Sequence, residues 1–583
     1  MRKNNLINLM VGAAMLLTTS FGLSSCQDIL GEWDRSTPEL FPPNAVTITK
    51  TETGATVTVN APSDITNFLS QVKDDITAKG TEEYVFEVTN GGVKSSSGDN
   101  TITVPKVDGS NINLVFEKGI NTESPLIIKA SETASATPTT AVNKLTITMP
   151  AGTTSLNLVI DMPETSVTVK TSAGSVIYEG IVANTAINTL VIENGVTVKS
   201  LQVKGGIVVV KNGGKVETNV YAPESNDYVM YQYDDQEGVE PVWVDLKGDG
   251  NYVPNVQNED GSAYLFKNLK VIKGTADYAK IALYNNMNPL KKLTIADGAV
   301  ALVNYQPSVK SIEGEGTATI LFDDWWKNDS KYYNDGNLYS VDEISNVTIG
   351  EYLPSDVQGT IDQSYLYNVP TNIENVIFKM GSVGFKDPES ANATVKNCKF
   401  EGAGDYRGVT ISVPYQTEEI SNFKFIFDGC EFIDNCRFSC RINDSKPKLD
   451  EEGNEIYKTY YCWWEDPTDN NNWNQGRSED EKDIPAERKS AGETYNYGWN
   501  DGSRSTGYWI ENQMQYETVS YNDYYAYVVF NSCKYAGATL TPEALLIEGS
   551  WIPKGANLRY EIDGTLYKAE WGEENGKYVL IPA

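Results

Sequence analysis

The feature that most constrains this chain is a short pattern that returns at a fixed distance. Leu190-x-Ile192-x-x-Gly195-x-x-Val198 recurs 18 residues later as Val208-x-Val210-x-x-Gly213-x-x-Val216, and again as Leu293-x-Ile295-x-x-Gly298-x-x-Ala301. Two apolar residues at alternate positions lie on one face of a short strand. The Gly permits a sharp corner, and the next apolar residue points inward after it. One such unit cannot bury its apolar face alone, whereas stacked copies can. The pattern therefore predicts coils stacked at strand spacing, about 4.8 Å.

Other short β-rich runs surround the repeat: Leu156–Ile160, Ser166–Lys170, Leu190–Ile192, Val196–Val198 and Ile207–Val210. Asn194-Gly195, Gly205-Gly206 and Asn212-Gly213-Gly214 break them. A second repeat lies further on. Val395-x-x-Cys398-x-Phe400 recurs as Phe427-x-x-Cys430-x-Phe432 and Phe530-x-x-Cys533-x-Tyr535, with Lys399, Glu431 and Lys534 pointing out. Helical periodicity is nearly confined to one stretch. There Ser63 or Asp64 serves as N-cap, Ile65, Phe68, Leu69, Val72 and Ile76 form one stripe, and Gly80 ends it. Hydrophobic residues make up 40%, enough for a large core. The fold class expected is all-β. A string of β-sandwiches is the alternative, and the 18-residue spacing and missing Greek-key rhythm count against it.

A capping helix followed by irregular short-strand coils, with Val395-Lys396-Asn397-Cys398-Lys399-Phe400 as the clearest step, resembles the pectin-lyase-like family. The resemblance covers about residues 55–540. It implies a right-handed parallel β-helix (β-solenoid) with an N-terminal capping helix, long loop insertions and a C-terminal β-meander. That fold carries lyases, hydrolases and pure binders, so it does not fix an activity. Insertions are expected at 323–340 and 441–526. Residues 541–583 are expected to close the open end as a meander of Leu545–Ile547, Leu558–Ile562, Leu566–Ala569 and Tyr578–Ile581.

The N-terminus reads as an export signal over residues 1–25: Arg2 and Lys3, an apolar run from Leu6 to Leu23, then small residues. Leu23-Ser24-Ser25-Cys26 resembles the lipobox of bacterial lipoproteins, which implies that Cys26 becomes the lipidated first residue. The acidic, Pro-punctuated stretch after it, a tether over 26–54, resembles the start of Bacteroidetes surface lipoproteins. The implied location is the outer membrane, with the body at the cell surface.

Charge and composition exclude several functions. The formal charge is −32 and there is no histidine. No Ser–His or Cys–His pair and no imidazole metal site can form. The acidity argues against nucleic acid, and against any membrane contact beyond a lipid anchor. Aromatics are the main binding candidates: Trp325 and Trp326 in the first insertion, and Trp463, Trp464, Trp473, Trp499 and Trp509 in the second. Flat rings beside amides and carboxylates suit sugar stacking, but the same rings can instead pack a long loop down. Cys398, Cys430 and Cys533 fit an interior ladder of reduced thiols. Cys436, Cys440 and Cys462 do not fit it, and a disulfide from Cys462 to Cys436 or Cys440 is expected. Cys430, Cys436, Cys440 and Cys462 lack the paired short spacing of a zinc site.

No cofactor is expected. Calcium at Asp245–Asn251 is the weak exception: the stretch superficially resembles an EF-hand loop, but Lys247 takes a ligand station and Val256 stands where the closing Glu belongs, so it reads as a polar turn. Asp323/Asp324 and Glu465/Asp466 are adjacent acids beside Trp pairs, yet neighbours in a strand point to opposite faces. No catalytic residue is assigned. The expected function is binding or adhesion at the cell surface, to a glycan or a surface protein, through loops on a solenoid. A polysaccharide lyase or glycoside hydrolase on the same scaffold, or a structural outer-membrane component, are the alternatives.

Overall fold

Every second residue of a run such as Glu83–Thr89 or Arg437–Ile442 is buried, so each short strand gives one face to a shared interior. Val, Ile and Thr dominate these runs, as suits a pleated, half-buried surface. The computed structural model describes residues 48–583 apart from 60, 90–92, 96–99, 123, 132–141, 154–155, 225–227, 232–242, 246–255, 284–288, 324–334, 351–364, 389–390, 403–407, 415, 417–418, 443–444, 468–473, 495–505, 519–523, 548–549, 551–556 and 573–576. The fold is mostly β, with long parallel sheets and few helices. The export signal, Cys26 and most of the tether lie outside the described residues.

Four sheets carry the architecture. The first has nine strands, from Ile48–Lys50 to Val256–Asn258. The second runs from Thr101–Val104 to Lys577–Pro582 and spans both halves of the chain. The third has 11 strands, from Trp243–Asp245 to Ala538–Thr539. The fourth has five, from Gly336–Asn337 to Arg437–Ile442. Near the start the chain visits three sheets in turn: Glu83–Thr89 lies in the first, Val93–Ser95 in a small parallel sheet with Ile120–Thr122, and Thr101–Val104 in the second; from Lys144 to Tyr221 it alternates between two, with Ser166–Thr171 and Thr189–Ile192 in the first and Val176–Ala183 and Val196–Val203 in the second. In the second half it visits three in turn: Asn372–Glu374 in the second, Ile377–Phe378 in the third and Ser382–Phe385 in the fourth.

The first repeat occupies neighbouring strands. Leu190 stands opposite Val208 and Ile192 opposite Val210, while Val198 stands opposite Val216 in the next sheet. The third copy departs from this. Leu293 and Ile295 lie in the second sheet opposite Ile312 and Gly314, and Ala301 lies in the third. The pattern encodes strand, corner and strand, not which corner. Gly195, Gly213 and Gly298 all have positive φ, of 81°, 85° and 68°.

The second repeat is fivefold. Val395, Phe427 and Phe530 are stacked partners, as are Phe400, Phe432 and Tyr535. Two earlier copies, Ile344–Ile349 and Ile373–Phe378, carry Val347 and Val376 where the later ones carry Cys. At each corner one residue adopts positive φ: Asn346, Asn375, Asn397, Gly429 and Ser532. Asn enters this region more readily than most residues, and Asn375 Nδ2 donates to Asn346 Oδ1 at 3.0 Å. Phe378, Phe400 and Phe432 stack along the interior at 5.0 Å per step.

Several expectations are corrected. The helical stretch is two helices, Pro62–Gln71 and Lys73–Lys79, broken at Val72. Its N-cap is Ala61, not Ser63 or Asp64, because Pro62 takes the first helical position. Gly80, at φ 61°, ends it. The expected strand Leu545–Ile547 falls instead on a 3-10 helix, Pro542–Leu546. The strands Leu558–Ile562, Thr565–Gly572 and Lys577–Pro582 do form an antiparallel meander, turning at Asp563-Gly564 with both φ positive. Residues 336–340 are not part of an excursion: Gly336–Asn337 is a strand of the fourth sheet and Leu338 is fully buried.

Candidate functional site

The fourth sheet exists only in the second half, and its outer face holds the best-formed candidate. Leu366, Val383, Val409 and Phe438 point inward and are buried. By alternation their neighbours point out. Register places Tyr365, Ser382, Gly408 and Arg437 in one row across the sheet. Gly384, Thr410 and Ser439 form the next row, and Tyr367 lies at the register shift between Leu366 and Val369 at its end. The result is a lane floored by small residues, with tyrosines at one end and arginines at the other. Three strand steps make it about 14 Å long.

The tyrosine end is flat. The rings of Tyr365 and Tyr367 stack at 5.9 Å and 12°, and Tyr367 is 43% exposed. Asn368 has positive φ and donates from Nδ2 to Asn337 Oδ1 at 2.8 Å. The backbone N–H of Tyr365 donates to Asp335 Oδ1 at 3.0 Å. Burial, then the charge of Asp335, pushes the Tyr367 hydroxyl above its ordinary pKa.

The arginine end is positive in a strongly acidic protein. Arg441 Nε donates to Ser412 Oγ at 2.6 Å, and its Nη2 lies 3.4 Å from Asp387 Oδ1. The guanidinium of Arg437 has no partner among the described residues. Nearby, Lys386 reaches the carbonyl of Val341. Burial pushes its pKa down, Lys310 adds to this and Asp342 opposes it.

The floor is not low because folding requires it. Gly384 and Gly408 have no positive φ, and a Cβ on either would meet its nearest atom at 3.7 and 3.5 Å, ordinary contact. Gly in a strand interior weakens the strand. Two glycines that packing does not demand therefore keep the lane open at some cost in stability.

Of the seven expected aromatic binders, the structure describes three, and two of those are buried. Trp325, Trp326, Trp473 and Trp499 lie outside the described residues. Trp464 and Trp509 are 5% and 2% exposed and pack together with Cys462, their rings 5.6 Å apart. They are the core of the second insertion, so no ligand can stack on them. Trp463 is half-buried. The expected disulfide is absent. Cys436 and Cys440 belong to the main interior and Cys462 to the insertion's own cluster, and all are free thiols. Burial pushes Cys440 up to about 12 and Cys462 up to about 11. Cys398, Cys430 and Cys533 line up as the interior ladder. Cys430 Sγ donates to Val395 O at 3.3 Å and Cys533 Sγ to Phe427 O at 3.4 Å. The hydrogen bond with Cys398 raises Cys430 to about 12.

Asp245 ends a strand, and the rest of the calcium candidate falls outside the described residues, as does Asp324. Glu465 and Asp466 follow the strand Tyr457–Trp464. Among the described residues no group of His, Cys, Asp or Glu is placed to hold a metal ion.

The lane residues were missed in the sequence, although a signal was there. Tyr365-x-Tyr367 and Arg437-x-x-x-Arg441 share the period of two that puts both members on one face. No known protein family, no curated protein and no solved structure matches the chain.

Proposed function

We propose that this chain is a binding protein for a saccharide chain bearing carboxylate or sulfate groups, held along the fourth sheet. The observation that carries the reading is the lane itself: a stacked tyrosine pair, a floor of two glycines that packing among the described residues does not require, and Arg437, whose guanidinium has no partner among the described residues. Tyrosine faces stack on sugar C–H surfaces. A guanidinium pairs with a planar anion through two parallel hydrogen bonds. Small residues between them let a rod-like ligand lie flush against the backbone. The ladders, with the chain cycling through second, third and fourth sheets, support a right-handed parallel β-helix as the scaffold. A lipid at Cys26, at the outer membrane, would hold that scaffold at the cell surface. The sequence supports this anchor through its leader and Leu23-Ser24-Ser25-Cys26.

The test is affinity electrophoresis of the soluble body, residues 27–583, in gels holding polygalacturonate, chondroitin sulfate or dextran. Retardation is expected in at least one acidic gel and not in dextran. Gly384→Val with Gly408→Val fills the lane and is expected to abolish retardation while leaving the melting temperature unchanged or higher. Arg437→Gln is expected to weaken binding by about tenfold or more, the worth of a charged hydrogen bond. Retardation that survives the double Val variant, or none in either acidic gel, overturns the proposal. For the anchor, Cys26→Ser in the full chain is expected to abolish labelling by a radioactive fatty acid.

A further inference from the structure

The second insertion carries another face, which the lane does not use. Tyr457–Trp464 pairs antiparallel with Gln475–Ser478 on one side and Tyr508–Met514 on the other. Its two faces divide the residues by chemistry. One face holds Cys462, Trp464 and Trp509, the insertion's core, together with Lys458, Arg477 and Glu511. The guanidinium of Arg477 lies 3.4 Å over the ring of Tyr460, and Trp509 Nε1 donates to Glu511 Oε1 at 2.7 Å. That face is closed by its own contacts.

The opposite face holds Tyr457, Tyr461, Trp463, Tyr508, Ile510 and Asn512, and none of these is an acid or a base at neutral pH. Of the eight exposed large hydrophobic residues among the described ones, four lie on this insertion: Leu449, Tyr457, Ile510 and Tyr516. Tyr457 is 54% exposed and Ile510 41%. Trp463 is set apart by its partner. It stands opposite Gly476, where a Cβ would fall 2.1 Å from the indole Nε1. The indole therefore lies across the bare backbone of Gly476, flat along the sheet. Tyr461 and Tyr508 follow with ring centroids 6.4 Å apart. Thr459 Oγ donates to Asn512 Oδ1 at 2.9 Å, which leaves the exposed Asn512 amide N–H groups as donors. At the margins Lys489 is paired with Glu481 at 2.9 Å, and Glu455 accepts from the Tyr457 hydroxyl at 2.8 Å.

We infer that this face is a second, independent binding site, for an uncharged saccharide chain. An indole laid flat offers a stacking surface rather than a socket. Tyrosine hydroxyls and the exposed Asn512 amide beside it match the alternating C–H and O–H character of a sugar. Unlike the lane with Arg437 and Arg441, this face sets no arginine among its tyrosines to pair with an anion, and Lys489 at its margin is held by Glu481, so a neutral saccharide fits it where an acidic one does not. The inference goes beyond the lane reading and does not rest on it, because it uses other residues and another ligand class.

The experiment is affinity electrophoresis of the soluble body, residues 27–583, in gels holding laminarin, mannan or xylan. Retardation is expected in at least one. Trp463→Ala is expected to weaken it at least tenfold and Tyr457→Ala at least threefold. Tyr457 is exposed, so its replacement leaves the fold intact. No additional reactive thiol in the native Trp463→Ala variant would verify that Cys462 stays buried against Trp464 and Trp509 and that the insertion's core persists. The Gly384→Val, Gly408→Val variant is expected to bind the neutral gels as wild type does, which separates the two sites. No retardation in any neutral gel overturns the inference. So does equal retardation of wild type, Trp463→Ala and Tyr457→Ala. Binding of this face to acidic polysaccharide, to phosphatidylglycerol vesicles or to a second copy by light scattering overturns it as well.

Discussion

The two halves of the molecule fill their interiors differently. In the first, over residues 144–221, successive strands alternate between two sheets and the inward residues are mainly aliphatic: Val167, Val176, Leu190, Val198 and Val208 are all buried, with Tyr178 the aromatic among them. In the second, the chain visits three sheets and the interior is aromatic. Phe385, Phe425, Phe427, Phe432 and Phe530 meet edge to face or stacked, at centroid distances from 5.3 to 6.2 Å. Two facing sheets leave a layer that branched aliphatics fill. Where the fourth sheet joins the second and third, larger side chains fill the interior to the same density.

The largest test of this comparison exchanges the fillings. Phe432→Ala is expected to cost about 3–5 kcal/mol in urea unfolding, because the aromatic interior cannot collapse around the void. Leu190→Phe in the aliphatic half is expected to cost about 1–3 kcal/mol through overpacking. If Leu190→Phe is neutral, the aliphatic interior is not closely packed.

Corners give the next test. At Gly195 a Cβ would fall 2.5 Å from the carbonyl oxygen of Gly174, on top of a positive φ. Gly195→Ala is therefore expected to cost about 1–3 kcal/mol. At Gly429 the obstructing atom is the movable Oδ1 of Asn397, and the equivalent residue is Asn in three of the other four copies and Ser532 in the last. Gly429→Asn is expected to cost less than about 1 kcal/mol. Equal costs would mean that the two corners are built alike.

Smaller effects separate the halves chemically. In the soluble body six thiols are expected to react in denaturant, and almost none in the native state, since all six lie buried in the second half. A count of four in denaturant would restore a disulfide. Asp297 sits near the junction, where its Oδ1 accepts from the N–H and hydroxyl of Thr317 at 2.8 and 2.9 Å. These bonds hold its carboxyl below the ordinary carboxylate range. The unfolded chain binds its proton at higher pH, so the stabilisation is complete above the ordinary carboxyl value and fades as pH falls through the lowered one. Asp297→Asn is expected to flatten the acid limb of stability slightly, as followed by circular dichroism.

Much of the scaffold was legible because it rests on local rules. The 18-residue offset between Leu190 and Val208 appears directly as register. The Cys398, Cys430 and Cys533 series appears as a ladder. Two further rungs escaped notice because Val347 and Val376 replaced the Cys that made the pattern visible. The aromatic candidates misled for a physical reason. Trp464 and Trp509 sit among polar residues in sequence, but an insertion of this length needs its own core, and large rings supply it.

What the amino-acid sequence determined by itself was the recurring strand, corner and strand, since alternation and a residue tolerant of positive φ are properties of a few neighbouring positions. Which sheet each strand joins was decided only by the tertiary structure, as Leu293 in the second sheet and Leu190 in the first demonstrate for one and the same pattern. The lane belongs to that second category. Tyr365, Gly384, Gly408 and Arg437 come from four successive strands, and only the parallel register between those strands sets them side by side.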